Sequence, residues 1–280
     1  MDADATGPPD QPTYWNEEGG RRWVQNIQRA ERMLEPLSER LLRHAGAQTG
    51  ERVLDVGCGG GITSAALAGA VGPSGRVVGL DVSAVILDVA RERYGNVGNL
   101  SFVLGDAAVA PLDAGAFDLV ASRFGVMFFA DPVAAFTNLR GALAPGGRLA
   151  FICWRALDLN PWMADCVRAI FSVLPPPEPL PKDAPGPFAF ADADRLRDLL
   201  TRGGFGSISI DPLDEPLDLG SVDEGVTQMT RMGPAASAFA AASAADQAAA
   251  LAAVRAALKR HETSGAVRMA SATWLVGARR

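Results

Sequence analysis

The chain has 280 residues, 48% of them hydrophobic and 21% charged. That balance suits a globular protein long enough to bury a core without disulfides or a structural metal, and it excludes collagen-like, coiled-coil and disordered classes. With 26 basic and 32 acidic residues the net charge is −6, so the general attraction to phosphate that nucleic-acid binders depend on is missing.

Residues 1–13 are rich in Asp, Pro and Gly and are expected to form a disordered leader. They show no basic region followed by an apolar stretch, which argues against a secretory signal. No apolar run reaches about 18 residues, so no membrane span or membrane partner is expected. Cys58, Cys153 and Cys166 have no metal-ligand spacing; they read as reduced thiols of a cytoplasmic protein, with no metal site. Trp23, Ile27, Ala30 and Leu34 recur at helical spacing, and after Pro36 the stripe resumes with Leu37 and Leu41. Residues 14–48 are therefore expected to be a helical cap, with His44 an ordinary helix-flank histidine.

From residue 49 strand and helix patterns alternate. Strands are predicted at Arg52–Val56, Arg76–Leu80, Ser101–Leu104, Phe117–Ala121 and Arg148–Cys153. Helices are predicted over Ile62–Val71, after the cap residue Ser83, and from Asp131-Pro132 to the stop at Pro145-Gly146-Gly147. Such βαβ units imply a doubly wound, mainly parallel α/β sheet over residues 49–155. Residues 156–191 read as an insertion or lid, with a helix from Asn160-Pro161 to Phe171 and an extended proline-rich loop, Leu174–Pro187. The remainder, 192–280, completes the core with a helix at Asp194–Arg202 and strands at Ser207–Ile210 and Val267–Val276. It also carries a largely helical, alanine-rich lid insertion at 221–264.

The chemistry concentrates in Val53-Leu54-Asp55-Val56-Gly57-Cys58-Gly59-Gly60-Gly61. A buried strand ends there in an acid, and glycines follow where the chain turns into a helix. Such a turn lets a ligand approach the backbone closely and meet the free N–H groups of the helix. A dinucleotide fingerprint needs glycine at 62, where Ile62 stands. Asp55 would repel a phosphate and suits a cationic ligand. Asp81, twenty residues past Gly61, can accept both ribose hydroxyls. Asp106 follows the third strand. Three acids and no base in these turns point to an adenosine ligand without phosphates.

These motifs, with Gly105-Asp106-Ala107, Phe117-Asp118-Leu119-Val120 and Leu143-Ala144-Pro145-Gly146-Gly147 in this order, resemble class I S-adenosylmethionine-dependent methyltransferases, most closely the ubiquinone/menaquinone-type small-molecule branch. The resemblance implies a seven-stranded Rossmann-like sheet with its last strand antiparallel, and S-adenosylmethionine as cofactor. By the same resemblance Asp55, Gly57, Cys58 and Gly59 line the methionine and ribose portion, and Asp81 binds the ribose. Val82 packs on adenine, Asp106 and Ala107 sit at its edge, and Ser122 lies beside the methionine part.

Acceptor-binding candidates are Tyr14, Trp15 and Trp23 in the cap, Arg123, Phe124 and Met127 after the fourth strand, and Trp154 and Trp162 after the fifth. Met229 and Met232 suit an adaptable apolar wall. Arg123 is read as a partner for an acidic group on the acceptor or for a structural carboxylate. His261 is read as a solvated helix histidine rather than a base. The resulting expectation is methyl transfer to a small, largely apolar or aromatic metabolite. Action on RNA or protein, and a non-catalytic role in binding S-adenosylmethionine, are the alternatives; a homodimer is left open.

Overall fold

The computed structural model describes residues 10–178, 181, 184–231 and 235–280. The predicted leader overlaps a helix: α1 (Gln11–Asn16) starts at the N-cap Asp10, whose carboxylate accepts the Thr13 N–H at 2.9 Å. Residues 1–9 lie outside the described residues. α2 (Glu18–Met33) and α3 (Glu35–Ala45) follow, and Pro36 stands in the first turn of α3, where its missing N–H costs nothing.

The alternating part comprises β1 (Arg52–Val56), α4 (Ile62–Val71), β2 (Arg76–Asp81), α5 (Ala84–Tyr94), β3 (Leu100–Leu104), β4 (Phe117–Arg123), α6 (Pro132–Ala142) and β5 (Leu143–Trp154). Ser83 caps α5 and Asp131 caps α6 through their side chains. β5 begins five residues earlier than the hydrophobic run suggested, because Leu143 already pairs with Phe117 before a register shift. Then come α7 (Pro161–Phe171), α8 (Ala193–Arg202), β6 (Gly206–Asp218), α9 (Val222–Arg231), α10 (Ala236–Ala241), α11 (Ala244–Lys259), β7 (Glu262–Thr263) and β8 (Ala266–Arg279).

The strands lie in the order β3-β2-β1-β4-β5-β8-β6, with β7 paired to β8 alone. β1 to β5 are parallel, and β8 runs antiparallel to both β5 and β6. The chain leaves β1 toward β2 and β3, then returns to β4 on β1's other side. That reversal opens a crevice at the C-terminal ends of β1 and β4, where open α/β sheets bind ligands. Leu54, Leu80, Leu119 and Phe151 of the strands are fully buried, with Leu67 and Phe136 from the covering helices.

β6 corrects the prediction most. It runs 13 residues rather than the four of Ser207–Ile210, straight through Pro212 and Pro216. It is an edge strand hydrogen-bonded only to β8, and an edge tolerates residues without an N–H.

Candidate active site

The C-terminal ends of β1, β2, β4 and β5 open on a cavity of about 690 Å³, within the usual range for small-molecule sites. Its floor is the turn after β1. Gly57 has φ +65°, and a Cβ there would lie 2.6 Å from the Gly125 Cα, so the turns after β1 and β4 touch backbone to backbone. Gly59 has φ +55°, and a Cβ on it would have the Trp23 Nε1 as its nearest neighbour at 3.9 Å. Both residues line the cavity, and both backbone conformations are ones that a β-branched residue resists.

Asp81, at the end of β2, lines the same space. One carboxylate oxygen accepts the Gly59 N–H at 2.8 Å and the other the Ser83 N–H at 2.9 Å. Burial raises its pKa against these bonds. Each oxygen keeps accepting capacity for a ligand hydroxyl. Cys58 and Val82 add apolar lining, and burial pushes the Cys58 thiol up, so it is a wall and not a nucleophile. Asp106 and Ala107 line the cavity beside β2, with one Asp106 oxygen occupied by the Ala108 N–H at 2.9 Å.

Two residues expected at this end are not part of the lining. Asp55 is 1% exposed and lies beneath the turn, accepting from the Thr63 hydroxyl at 2.7 Å and the Ser64 hydroxyl at 2.6 Å. It joins β1 to the first turn of α4, and its other oxygen has no partner among the described residues. Burial pushes its pKa up to about 6. Ser122 is also buried and donates to the Val56 carbonyl at 2.7 Å; it links β4 to β1.

The far end of the cavity is aromatic. Phe124 has φ +64°, uncommon for a bulky residue and a form of strain that concentrates at functional sites. Its ring stacks on Trp154 at 4.2 Å with 12° between planes, and Trp154 meets Trp162 at 5.2 Å. Asn160 does not cap α7. Its side chain instead accepts the Trp162 indole N–H at 3.2 Å and the Ala272 N–H of β8 at 2.9 Å, which fixes the tryptophan in place. Met127 lies against Trp154, whose backbone N–H points to the Met127 sulfur at 3.4 Å.

Arg123 lines the cavity beside this wall and donates to the Ser38 hydroxyl of α3 at 2.7 Å, its one hydrogen bond among the described residues. Burial pulls its pKa down, while the charges of Asp55 and Glu31 pull it up.

Tyr14, Trp15 and Trp23 come from α1 and α2 and also line the space. Trp15 stands edge-on to Trp23 and to Phe128, and burial raises the Tyr14 phenol. The attachment of α1 rests on contacts that no local motif announces. Asn16 donates to the Val82 carbonyl and accepts the Ala84 N–H, both at 2.9 Å, and the Ser83 hydroxyl donates to the Trp15 carbonyl at 2.6 Å.

Other lining residues escaped the sequence reading, namely Met33 and Leu34 at the α2–α3 junction and Gln228 of α9, while Pro185–Pro187 of the proline-rich loop line the cavity as well. Met229 lines the cavity too; Met232 lies outside the described residues, as does part of the proline-rich loop. The chain's two histidines are elsewhere. His261 sits 3.1 Å from the Asp165 carboxylate of α7, half-buried rather than solvated, and His44 abuts Gly277 of β8. The described residues hold no cluster of His, Cys, Asp and Glu able to bind a metal, and no helix among them is long and apolar enough to cross a membrane.

This sheet order, with its switch point between β1 and β4, is that of a Rossmann-like α/β fold. Residues 54–151 match the methyltransferase domain family. Over 109 residues the chain is 39% identical to the demethylmenaquinone methyltransferase of Staphylococcus carnosus, covering 39% of this chain and 45% of that one. The chain spans less than half the length of the curated relatives it matches. In fold it is similar to the YcgJ protein of Bacillus subtilis, with TM-score 0.58, 15% identity, and 88% and 98% of the two chains covered. It is also similar to Haemonchus contortus phosphoethanolamine N-methyltransferase 2 solved with S-adenosyl-L-methionine, with TM-score 0.61, 16% identity, and 97% and 60% covered.

Proposed function

We propose that the protein transfers a methyl group from S-adenosylmethionine to a small, largely apolar or aromatic acceptor. The observation that carries this reading is one continuous cavity with two chemically different sides. Gly59, Asp81 and Val82 line it on the β1–β2 side, Phe124, Trp154 and Trp162 on the β4–β5 side, and Gly57 lies where the two sides meet.

The residues on the first side suit the cofactor. Asp81 offers acceptor capacity to ribose hydroxyls, Val82 and Ala107 offer apolar surface to a base, and the Gly57–Gly60 turn leaves room for backbone approach. Bound there, the cofactor supplies an electrophilic sulfonium methyl, which the acceptor takes with its own electron pair as the S–CH₃ bond breaks and S-adenosylhomocysteine forms. The chain's share is placement and exclusion of water, which for aligned groups is worth effective molarities of roughly 10⁵–10⁸ M. The covering elements supply the exclusion: α1 and α2 on one side, Pro185–Pro187 and α9–α10 on the other. Arg22 of α2 donates to the Ser237 hydroxyl of α10 at 3.1 Å, and the Gly186 N–H donates to the Met127 carbonyl at 3.0 Å. In this reading the 14–48 cap and the insertions at 156–191 and 221–264 act together as the lid. Histidine plays no part as a base, because both histidines lie away from the cavity. A cytoplasmic location and independence from nucleic acid belong to the same proposal.

Calorimetry with S-adenosylhomocysteine, NAD and ATP tests the cofactor half. Binding of the first, with no heat from the other two, is the expected result; binding of NAD without S-adenosylhomocysteine would overturn it.

A further inference from the structure

We infer that Arg123 is an anion receptor on the acceptor side of the cavity, so that the methyl acceptor is a planar, unsaturated molecule carrying an acidic oxygen, a carboxylate, phenolate or enolate. This deepens the methyltransferase reading and rests on it.

The guanidinium is part-buried, with a neutral hydroxyl, Ser38, as its hydrogen-bond partner. Arginine offers five N–H donors, and the others are unpaired among the described residues while the side chain faces the cavity. Neither acid whose charge acts on it is bonded to it: Asp55 gives one oxygen to the Thr63 and Ser64 hydroxyls and its other has no hydrogen-bond partner among the described residues, while Glu31 is paired with Arg93 at 2.9 Å. Even a part-buried cation is costly to the fold when no hydrogen-bonded counter-charge meets it. Its complement is an anionic group brought in by a ligand, and a guanidinium binds planar oxyanions with two parallel bonds.

Position assigns that anion to the acceptor. Asp81 stands at the end of β2 and Arg123 at the end of β4, with β1 between them, a separation of about 9–10 Å along the sheet edge. Ser38, which anchors the guanidinium, belongs to α3, and α3 packs on β4, β5 and β8 rather than on β2 or β3. Phe124 follows Arg123 directly and stacks on Trp154 of β5, giving a flat apolar wall next to the charge. The chemistry agrees. A cavity lined by no histidine does not readily take a proton from its acceptor, and a positive charge beside the reacting oxygen favours an acceptor that enters already ionised.

The test uses the full chain saturated with S-adenosylhomocysteine and a matched set of naphthoic and hydroxynaphthoic acids with their methyl esters, titrated by quenching of tryptophan fluorescence. The acids are expected to bind about 10- to 100-fold more tightly than the esters, the effect of one or two charge-assisted bonds. Arg123→Met should abolish this preference and Arg123→Lys should restore part of it, both binding S-adenosylhomocysteine like the parent. Equal binding of acids and esters to the parent, or binding of neither, overturns the inference without any variant. A Met variant that loses S-adenosylhomocysteine affinity but keeps the acid preference overturns it as well, by giving Arg123 to the cofactor. Failure of the parent to bind S-adenosylhomocysteine is a separate result and falls on the cofactor reading instead.

Discussion

Replacing Asp81 by Ala should weaken binding of S-adenosylhomocysteine by roughly 30- to 1,000-fold. A carboxylate that accepts both ribose hydroxyls makes two charge-assisted hydrogen bonds, each worth roughly 1.5–3 kcal/mol; with imperfect additivity the pair comes to about 2–4 kcal/mol, at about 1.4 kcal/mol per tenfold. The structure adds a second cost. Asp81 also accepts the Gly59 and Ser83 N–H groups, and each unpaired donor costs about 1–3 kcal/mol, partly offset by no longer burying a carboxylate. A net loss on the order of 2 kcal/mol, or roughly 4–8 °C in Tm, is expected without ligand. Calorimetry and thermal unfolding measure the two effects separately. A 2′-deoxy analogue of S-adenosylhomocysteine separates direct contact from a disordered glycine turn, because the parent should discriminate against it about tenfold or more and the variant should not. Parent-like affinity in the variant, or undiminished discrimination against the deoxy analogue, would refute the placement of the ribose on Asp81.

Gly59→Val should lose cofactor binding beyond detection by calorimetry while keeping a folded sheet in far-UV circular dichroism, since its side chain enters the cavity from a backbone at φ +55°. Gly57→Val should lower Tm as well, because its Cβ meets the Gly125 backbone. Asp55 gives a pH signature. Folding raises its pKa from 3.8 to about 6, so its contribution is fully present below about pH 4 and is lost as pH rises through 6. By linkage the loss is on the order of 3 kcal/mol. Asp55→Asn should remove that dependence from urea unfolding curves recorded between pH 3.5 and 7.5, and parallel curves for parent and variant would contradict it. His261→Ala should leave the rate of methyl transfer within about twofold and change stability by less than about 1 kcal/mol, as befits a partly exposed polar contact. A 100-fold fall in single-turnover rate would make it a base.

Much of the core was legible because its signals are local. The strand ending in Asp55, the four glycines after it, Ser83 and Asp131 as caps, and Asp81 at the end of the next strand each follow from short-range pattern. What escaped depends on contacts distant in sequence. Asp55 had the right residue type to face a cationic ligand, but the hydroxyls of Thr63 and Ser64 draw it under the turn. β6 runs past the predicted end at Ile210 through Pro212 and Pro216, which only its place at the sheet edge makes harmless. Asn16 looked like any polar residue near the chain start; its two bonds to the turn after β2 span more than sixty positions. Arg123 could not be assigned a partner from sequence, since the choice between a structural carboxylate and a ligand turns on where Asp55 and Glu31 spend their own bonds.

The central claim is methyl transfer from S-adenosylmethionine to a small molecule, and the most direct measurement is turnover of methyl-labelled cofactor with fractionated cell extract. S-adenosylhomocysteine should form, and the label should appear, in equal amount, in low-mass apolar or aromatic compounds. Label in the RNA or protein fraction, or cofactor that binds but is never consumed with any fraction, would contradict it.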